Sequence, residues 1–259
     1  MYRDGLPQLG SKPFLTDGGL ETTLVFMDGY DLPEFAAFDI MKDAAGIERL
    51  RDYYRQYIHI ALEHRTGMVL ETPTRRSSAS WGAKIGYDAA ALDAVNRQAV
   101  ELLAGLREEY ATTETPMVVS GCIGPQDDGY QASELMSVDE ATEYHTAQAL
   151  SFESAGADLV TAVTMTYPDE ATGVVRAASA AGMPVVVSFT VETDGRLPVE
   201  VPLREAIEQV DAETGRAPAY YMINCAHPSH FDAILGDGRW VNRIGGLRAN
   251  ASRKSHAEL

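Results

Sequence analysis

Short apolar segments alternate with longer amphipathic segments along the chain, and this alternation limits the possible folds more than any other feature. The apolar segments span residues 14–16, 68–70, 116–120, 158–163, 184–189, 220–225 and 243–247. Near-continuous apolar strands that alternate with helices are typical of a parallel sheet covered on both faces. No phosphate-binding glycine motif follows the first strand, which disfavours a dinucleotide-binding sheet. Seven strand–helix steps therefore predict an α/β fold of the (β/α)8 TIM-barrel type.

The length of the chain suits one barrel domain. The 259 residues are close to the roughly 250 that a TIM barrel uses, and no Pro/Gly-rich linker interrupts them. We therefore expect a single domain over residues 1–259. The sequence stops soon after the seventh strand, so we expect this chain to lack the eighth strand–helix unit and the barrel to be incomplete at its C-terminal end.

Composition narrows the functional classes. The formal net charge is -17, and such an acidic surface repels phosphate backbones, so nucleic acid is not an expected partner. Cys122 and Cys225 are the two cysteines, too few for a disulfide framework. Neither an apolar signal segment nor an 18-residue apolar run occurs, which predicts a soluble, cytoplasmic protein without membrane contact. The oligomeric state stays open.

Polar residues follow several of the predicted strands. Asp17 and Gly18 follow the first strand, Thr72 and Thr74 follow the second, and Asn224-Cys225 ends the sixth. Parallel α/β folds bind ligands at the carboxyl ends of their strands. On local sequence, Cys225 could be a metal ligand, a nucleophile or a small buried residue.

The strand-end motifs, taken in order, resemble those of the homocysteine S-methyltransferase family, which includes betaine–homocysteine methyltransferase. The matching motifs are Asp17-Gly18-Gly19 with Glu21-Thr22, Thr72-x-Thr74-x-x-x-Ser78, Gly121-x-Ile123-Gly124-Pro125, Asn224-Cys225 and Asn250. The resemblance covers the chain from about Phe14 onward and implies a (β/α)8 barrel.

The resemblance also implies a chemistry and a set of site residues. Family members hold a zinc ion (Zn2+) with three cysteine thiolates, and the homocysteine sulfur takes the fourth position, where zinc lowers the thiol pKa. Cys225 would be the first zinc ligand and the catalytic residue, with two further cysteine ligands expected beyond Leu259. Asp17 and Gly18 would bind the amino-acid end of homocysteine. Thr72, Thr74 and Asn224 complete the implied substrate-binding set.

The implied reaction moves a methyl group from a sulfonium donor, S-methylmethionine or S-adenosylmethionine, to homocysteine and gives methionine. Positioning of the two reactants would supply much of the catalysis. The partners are therefore expected to be small molecules, in methionine biosynthesis.

Some positions depart from the family pattern. Val163 stands where the family has a glutamate that holds the substrate amino group, and Met222 replaces a glycine. Glu71 and Glu192 lie at strand ends and could supply the missing carboxylate. We expect Cys122 to pack in the core, so a zinc site cannot be complete within these residues.

Two other functional classes stay open. A barrel lyase or hydrolase could use Asp17, Glu71 or Glu192 as acid and base. A non-catalytic relative would only bind a small amino acid. His227 and His230 lie near Cys225 in the sequence and could substitute for the missing ligands, although we expect both to face solvent at the start of a helix.

Overall fold

The computed structural model describes residues 1–130, 135–236 and 238–258. Its strands are β1 (Phe14–Thr16), β2 (Gly67–Glu71), β3 (Met117–Ile123), β4 (Leu159–Met165), β5 (Val185–Phe189), β6 (Tyr221–Asn224) and β7 (Ile244–Arg248). Its α-helices are α1 (Leu20–Thr22), α2 (Ala44–Glu63), α3 (Ala79–Lys84), α4 (Ala89–Tyr110), α5 (Val138–Ala155), α6 (Pro168–Ala180), α7 (Leu203–Thr214) and α8 (Pro228–Phe231). Each of the seven predicted strands is present within a few residues of its expected bounds.

The strands form one sheet in which spatial order follows sequence order, from β1 to β7. The pairs β1–β2, β2–β3, β5–β6 and β6–β7 are parallel. Every residue of β2, β3, β4 and β5 is buried, as expected of parallel strands covered on both faces. These features confirm the predicted fold class, an α/β TIM-type barrel with seven strands among the described residues.

The chain divides into two compact units. The first unit contains Met1–Ile123 and Gln148–Val160, and the second contains Gly124–Ala147 and Thr161–Leu259. Helix α5 and strand β4 contribute residues to both units. The expected single domain over residues 1–259 stays a prediction.

Capping side chains lie at the start of two helices. The Asp88 carboxylate accepts a hydrogen bond from the Ala91 amide at 2.8 Å and caps α4. Ser137 and Glu140 form a capping box before α5, with the Ser137 amide donating to Glu140 Oε2 at 2.8 Å. Because these side chains satisfy amides that have no partner within the helix, they fix where each helix begins.

Three local features complete the description of the connections. The segment from Leu20 to Lys42 contains α1, a π-helical turn and 3-10 turns. Gly67 opens β2, where a Cβ would lie 2.3 Å from the ring of Phe14. Pro202 is the N-cap residue of α7, and its ψ of 138° is extended.

Candidate active site

In the first unit, Asp17 and Gly18 lie directly after β1 against the tyrosines of α2. Asp17 is buried and accepts a hydrogen bond from the Tyr53 hydroxyl at 3.0 Å. Burial and the nearby Asp17 carboxylate raise the pKa of Tyr53 well above its usual range, so this phenol is a stable donor. A Cβ on Gly18 would lie 2.7 Å from the Tyr57 hydroxyl. Glycine is therefore needed at position 18 for this close approach.

Thr72 and Thr74 are buried in the same unit, where they connect the end of β2 to β3. Their hydroxyl oxygens lie 2.6 Å apart, Thr74 donates to the Cys122 carbonyl at 2.8 Å, and the Cys122 amide donates to Thr72 at 2.8 Å. Gln148 donates to the Thr74 carbonyl at 3.0 Å. Both threonine hydroxyls are thus engaged within the protein. The predicted packing role of Cys122 agrees with its buried side chain.

In the second unit, the Asn224 side chain joins the ends of three strands. Its oxygen accepts from the Thr164 amide of β4 at 3.0 Å and from the Ser188 hydroxyl of β5 at 2.6 Å. Its nitrogen donates to Thr164 Oγ1 at 2.8 Å and to Cys225 Sγ at 3.2 Å. No local motif in the sequence marks Thr164 or Ser188 as partners of Asn224.

Cys225 follows β6 in a left-handed backbone conformation, with a φ of 54°. Its thiol is free and only half-buried. Its amide donates to the Arg248 carbonyl at 3.1 Å, and its carbonyl lies 2.8 Å from His256 Nε2. A non-glycine residue in this conformation stores strain of about 1–3 kcal/mol, which the surrounding contacts must offset.

His256 was not predicted as a site residue. Its Nδ1 lies 2.7 Å from Glu192 Oε1, and its ring packs against Tyr130 with ring centroids 4.4 Å apart. Glu192, which the sequence offers as a substitute carboxylate, is paired with this histidine. No motif marks His256, which lies 31 residues from Cys225. Only the tertiary structure brings the two together.

The two histidines after Cys225 behave differently from each other. His227 lies at the start of α8, and its Nδ1 accepts from the Ser229 amide at 3.1 Å. Desolvation, with Arg253 and His230 nearby, lowers the pKa of His227. The expectation that His230 faces solvent was wrong, because its side chain is buried with Nε2 3.0 Å from the Arg253 carbonyl.

The described residues do not make a complete zinc site. Among them, no group of three or more His, Cys, Asp or Glu side chains is arranged to hold a metal ion. Cys122 is buried in the first unit and Cys225 lies in the second. A site of three thiolates needs more cysteine than the two in this sequence provide. His227 and His230, considered as substitute ligands, do not complete such a group either.

An apolar residue, Val163, occupies the position at which the family has a glutamate. Val163 is buried in β4, one residue before Thr164. Glu71, one of the two suggested replacements, is buried at the end of β2, and its carbonyl accepts from the Tyr54 hydroxyl at 2.6 Å. Glu192, the other, is paired with His256 as described above. A substitute for the family carboxylate therefore stays a prediction.

A parallel α/β barrel with a conformationally restrained thiol at a strand end defines a class of barrel enzymes that use strand-end residues for chemistry. The model of the family "Homocysteine S-methyltransferase" matches residues 14–255. The chain belongs to the homocysteine S-methyltransferase family and is an enzyme of the methyltransferase class. This confirms the resemblance found in the strand-end motifs.

Solved structures of one bacterial protein show the same fold. The homocysteine methyltransferase MmuM from Escherichia coli in its oxidized form is 20% identical, with a TM-score of 0.69 over 95% of this chain and 93% of that chain. Its metallated form is 19% identical with the same TM-score and coverage. Its apo form is 20% identical, with a TM-score of 0.64 over 97% of this chain and 95% of that chain.

No curated protein matches this chain. Within the described part of the chain, none of the helices combines the length and the apolar character needed to cross a membrane.

Proposed function

We propose that this protein transfers a methyl group from a sulfonium donor, S-methylmethionine or S-adenosylmethionine, to the thiol of homocysteine. The observation that carries the proposal is the restrained Cys225 thiol at the end of β6, in a chain that belongs to the homocysteine S-methyltransferase family. The acceptor sulfur attacks the methyl carbon in line, and a new C–S bond forms as the donor C–S bond breaks. The donor leaves as a neutral thioether and the acceptor loses its thiol proton.

The roles of the other predicted residues belong to the same proposal. Asp17 and Gly18 would bind the amino-acid end of homocysteine, with Thr72 or Thr74 nearby. The buried Asp17 carboxylate, which the Tyr53 hydroxyl orients, suits an ammonium group. Methionine as the product and a cytoplasmic location follow from the same proposal, and two free thiols are consistent with a reducing compartment.

Zinc is the ion we propose for Cys225, on the basis of the family and of the metallated MmuM structure. The described residues do not fit a complete zinc site, and the reaction written above needs no step through a metal. Zinc content per chain, measured by elemental analysis on this protein and on Cys225→Ser, tests this part separately. We expect Cys225→Ser to lose any zinc that the protein holds, and equal zinc in both would contradict the assignment of Cys225 as a ligand.

The central test is methionine formation from homocysteine with each sulfonium donor and with betaine as a third donor. We expect Cys225→Ser to reduce turnover to the rate of the reaction without enzyme. Cys122→Ser is the matched control, since it removes the other thiol from the core, and should retain activity. Full turnover by Cys225→Ser would refute the catalytic role of Cys225. Binding of homocysteine without product from any donor would instead favour the non-catalytic class.

A further inference from the structure

The hydrogen-bonding groups of the Asn224 side chain are fully occupied by the protein. An amide oxygen can accept two hydrogen bonds and an amide nitrogen can donate two. The oxygen accepts from the Thr164 amide and the Ser188 hydroxyl, and the nitrogen donates to Thr164 Oγ1 and to Cys225 Sγ. No hydrogen-bonding capacity is left for a substrate.

The orientation of this amide is fixed by its surroundings. The Thr164 main-chain N–H can only donate, so the Asn224 atom that faces it at 3.0 Å must be the oxygen. The nitrogen is then directed to the Cys225 sulfur at 3.2 Å. Asn224 is also buried, with 4% of its surface exposed. A bound molecule would therefore have to displace a protein partner to reach it.

The backbone brings the two neighbouring side chains together. Consecutive residues of an extended strand point to opposite faces, which would separate Asn224 from the thiol. The φ of 54° at Cys225 breaks this alternation. Thr164, which Asn224 contacts through both its amide and its hydroxyl, has a φ of 56°. Asn224 thus makes contacts with both residues that adopt the left-handed conformation at these strand ends.

We propose that Asn224 is a positioning residue that holds the Cys225 thiol by an N–H···S hydrogen bond, and that it is not a substrate contact. The hydrogen bond to the thiol does not depend on the proposed function. Only its effect on methyl transfer rests on that function. A donor directed at the sulfur stabilises negative charge there and restricts rotation of the thiol. The methyl transfer reaction then depends on Asn224 through the geometry of Cys225.

Asn224→Asp is the most informative variant because it is nearly isosteric. The retained oxygen can still accept from the Thr164 amide and from Ser188, and the Thr164 hydroxyl can turn to donate to the second oxygen. At Cys225 Sγ, by contrast, a negatively charged oxygen replaces the N–H donor, so the sulfur loses this hydrogen bond. Ser188→Ala is the matched control, because it removes a hydrogen bond to the oxygen of Asn224 and leaves the N–H···S contact in place.

The first measurement is the rate of Cys225 alkylation by iodoacetamide without substrates, in a Cys122→Ala background that leaves a single thiol. We expect Asn224→Asp to slow alkylation about tenfold, the effect of losing a hydrogen bond to a charged group, and Ser188→Ala to change it by about twofold or less. An unchanged rate in Asn224→Asp would overturn the proposal. Melting temperatures of all variants confirm that the compared proteins are folded.

The second measurement separates positioning from substrate binding. Positioning predicts that Asn224→Asp lowers kcat and changes the KM for homocysteine little, whereas a raised KM with unchanged kcat would overturn the proposal. If Asn224→Asp does not fold, NMR spectra of the Cys122→Ala protein test the contact instead, through the side-chain amide resonances of Asn224. They should shift when Cys225 is alkylated, and unchanged resonances would refute the contact. If the protein catalyses no methyl transfer, the proposed function is refuted, but the alkylation result still tests the hydrogen bond between Asn224 and Cys225.

Discussion

The glycine of the third-strand motif can be tested quantitatively. Gly121 lies in β3, and a Cβ added to it would be 2.3 Å from Phe152 Cδ2 and 2.4 Å from Phe152 Cγ. Carbon atoms pack best at about 3.5–4.0 Å, so Gly121→Ala requires the ring to withdraw by roughly 1 Å or more. Phe152 is fully buried, with 0% of its surface exposed. Its ring therefore has no open space on the solvent side to move into.

We expect Gly121→Ala to destabilise the protein by about 3 kcal/mol, the upper part of the range for overpacked cores. For a protein of this size, that corresponds to a melting temperature lower by roughly 5–10 °C. Urea denaturation of the protein and the variant gives the free energy of unfolding directly. Gly5→Ala is the matched control, because a Cβ there would have nothing within 4 Å, and it should change stability by about 0.5 kcal/mol or less.

A double-mutant cycle tests the assigned cause. Phe152→Leu removes the ring that the new methyl group would meet, so Gly121→Ala should cost less in the Phe152→Leu background by about 1 kcal/mol or more. Additive effects would show that Phe152 is not the source of the cost. A Gly121→Ala protein as stable as Gly5→Ala would refute the packing argument as a whole.

Two further predictions concern single side chains. Burial and the hydrogen bond to Asp39 raise the pKa of Tyr87 to about 12, so its contribution to stability is fully present below pH ~10 and lost as pH rises toward 12. The stability advantage of the protein over Tyr87→Phe should therefore shrink across that pH window in urea denaturation, and a constant difference would contradict it. His256→Ala should speed alkylation of Cys225 severalfold, because the strained turn at Cys225 loses the hydrogen bond that holds its carbonyl. Glu192→Gln keeps a hydrogen-bonding group beside His256 and should have a smaller effect. Equal rates for the two variants would refute this role of His256.

The strands are predictable from the sequence, as are helix starts that have a capping side chain, because both depend on local chemistry. Buried parallel strands need continuous apolar residues, as in Met117–Ile123, and a helix start needs a side chain such as Asp88 to satisfy free amides. The family resemblance also came from short motifs at strand ends. Such signals are visible within a few residues of one another.

The contacts around Cys225 could not be predicted in the same way. Thr164 and Asn224 are 60 residues apart, and the pairing of their side chains depends on the register of different strands. His230 was expected to face solvent because it lies at the start of a helix, but the Arg253 carbonyl gives it a buried partner. A buried polar side chain is stable only where a partner exists, and neither residue contains that information by itself.

The pairing of Asn224 with Cys225 gives a physical reason for an asparagine directly before a cysteine at the end of a parallel strand. In a regular strand these neighbours would face opposite sides of the sheet. The left-handed turn at Cys225 places both side chains together, and the strain of that turn is offset by hydrogen bonds to the Cys225 amide and carbonyl. Replacing Asn224 with a residue that lacks a side-chain oxygen would leave the Thr164 amide and the Ser188 hydroxyl buried without this acceptor. The asparagine of the Asn-Cys motif therefore has two roles in this chain. Its oxygen joins the ends of the neighbouring strands, and its nitrogen holds the thiol.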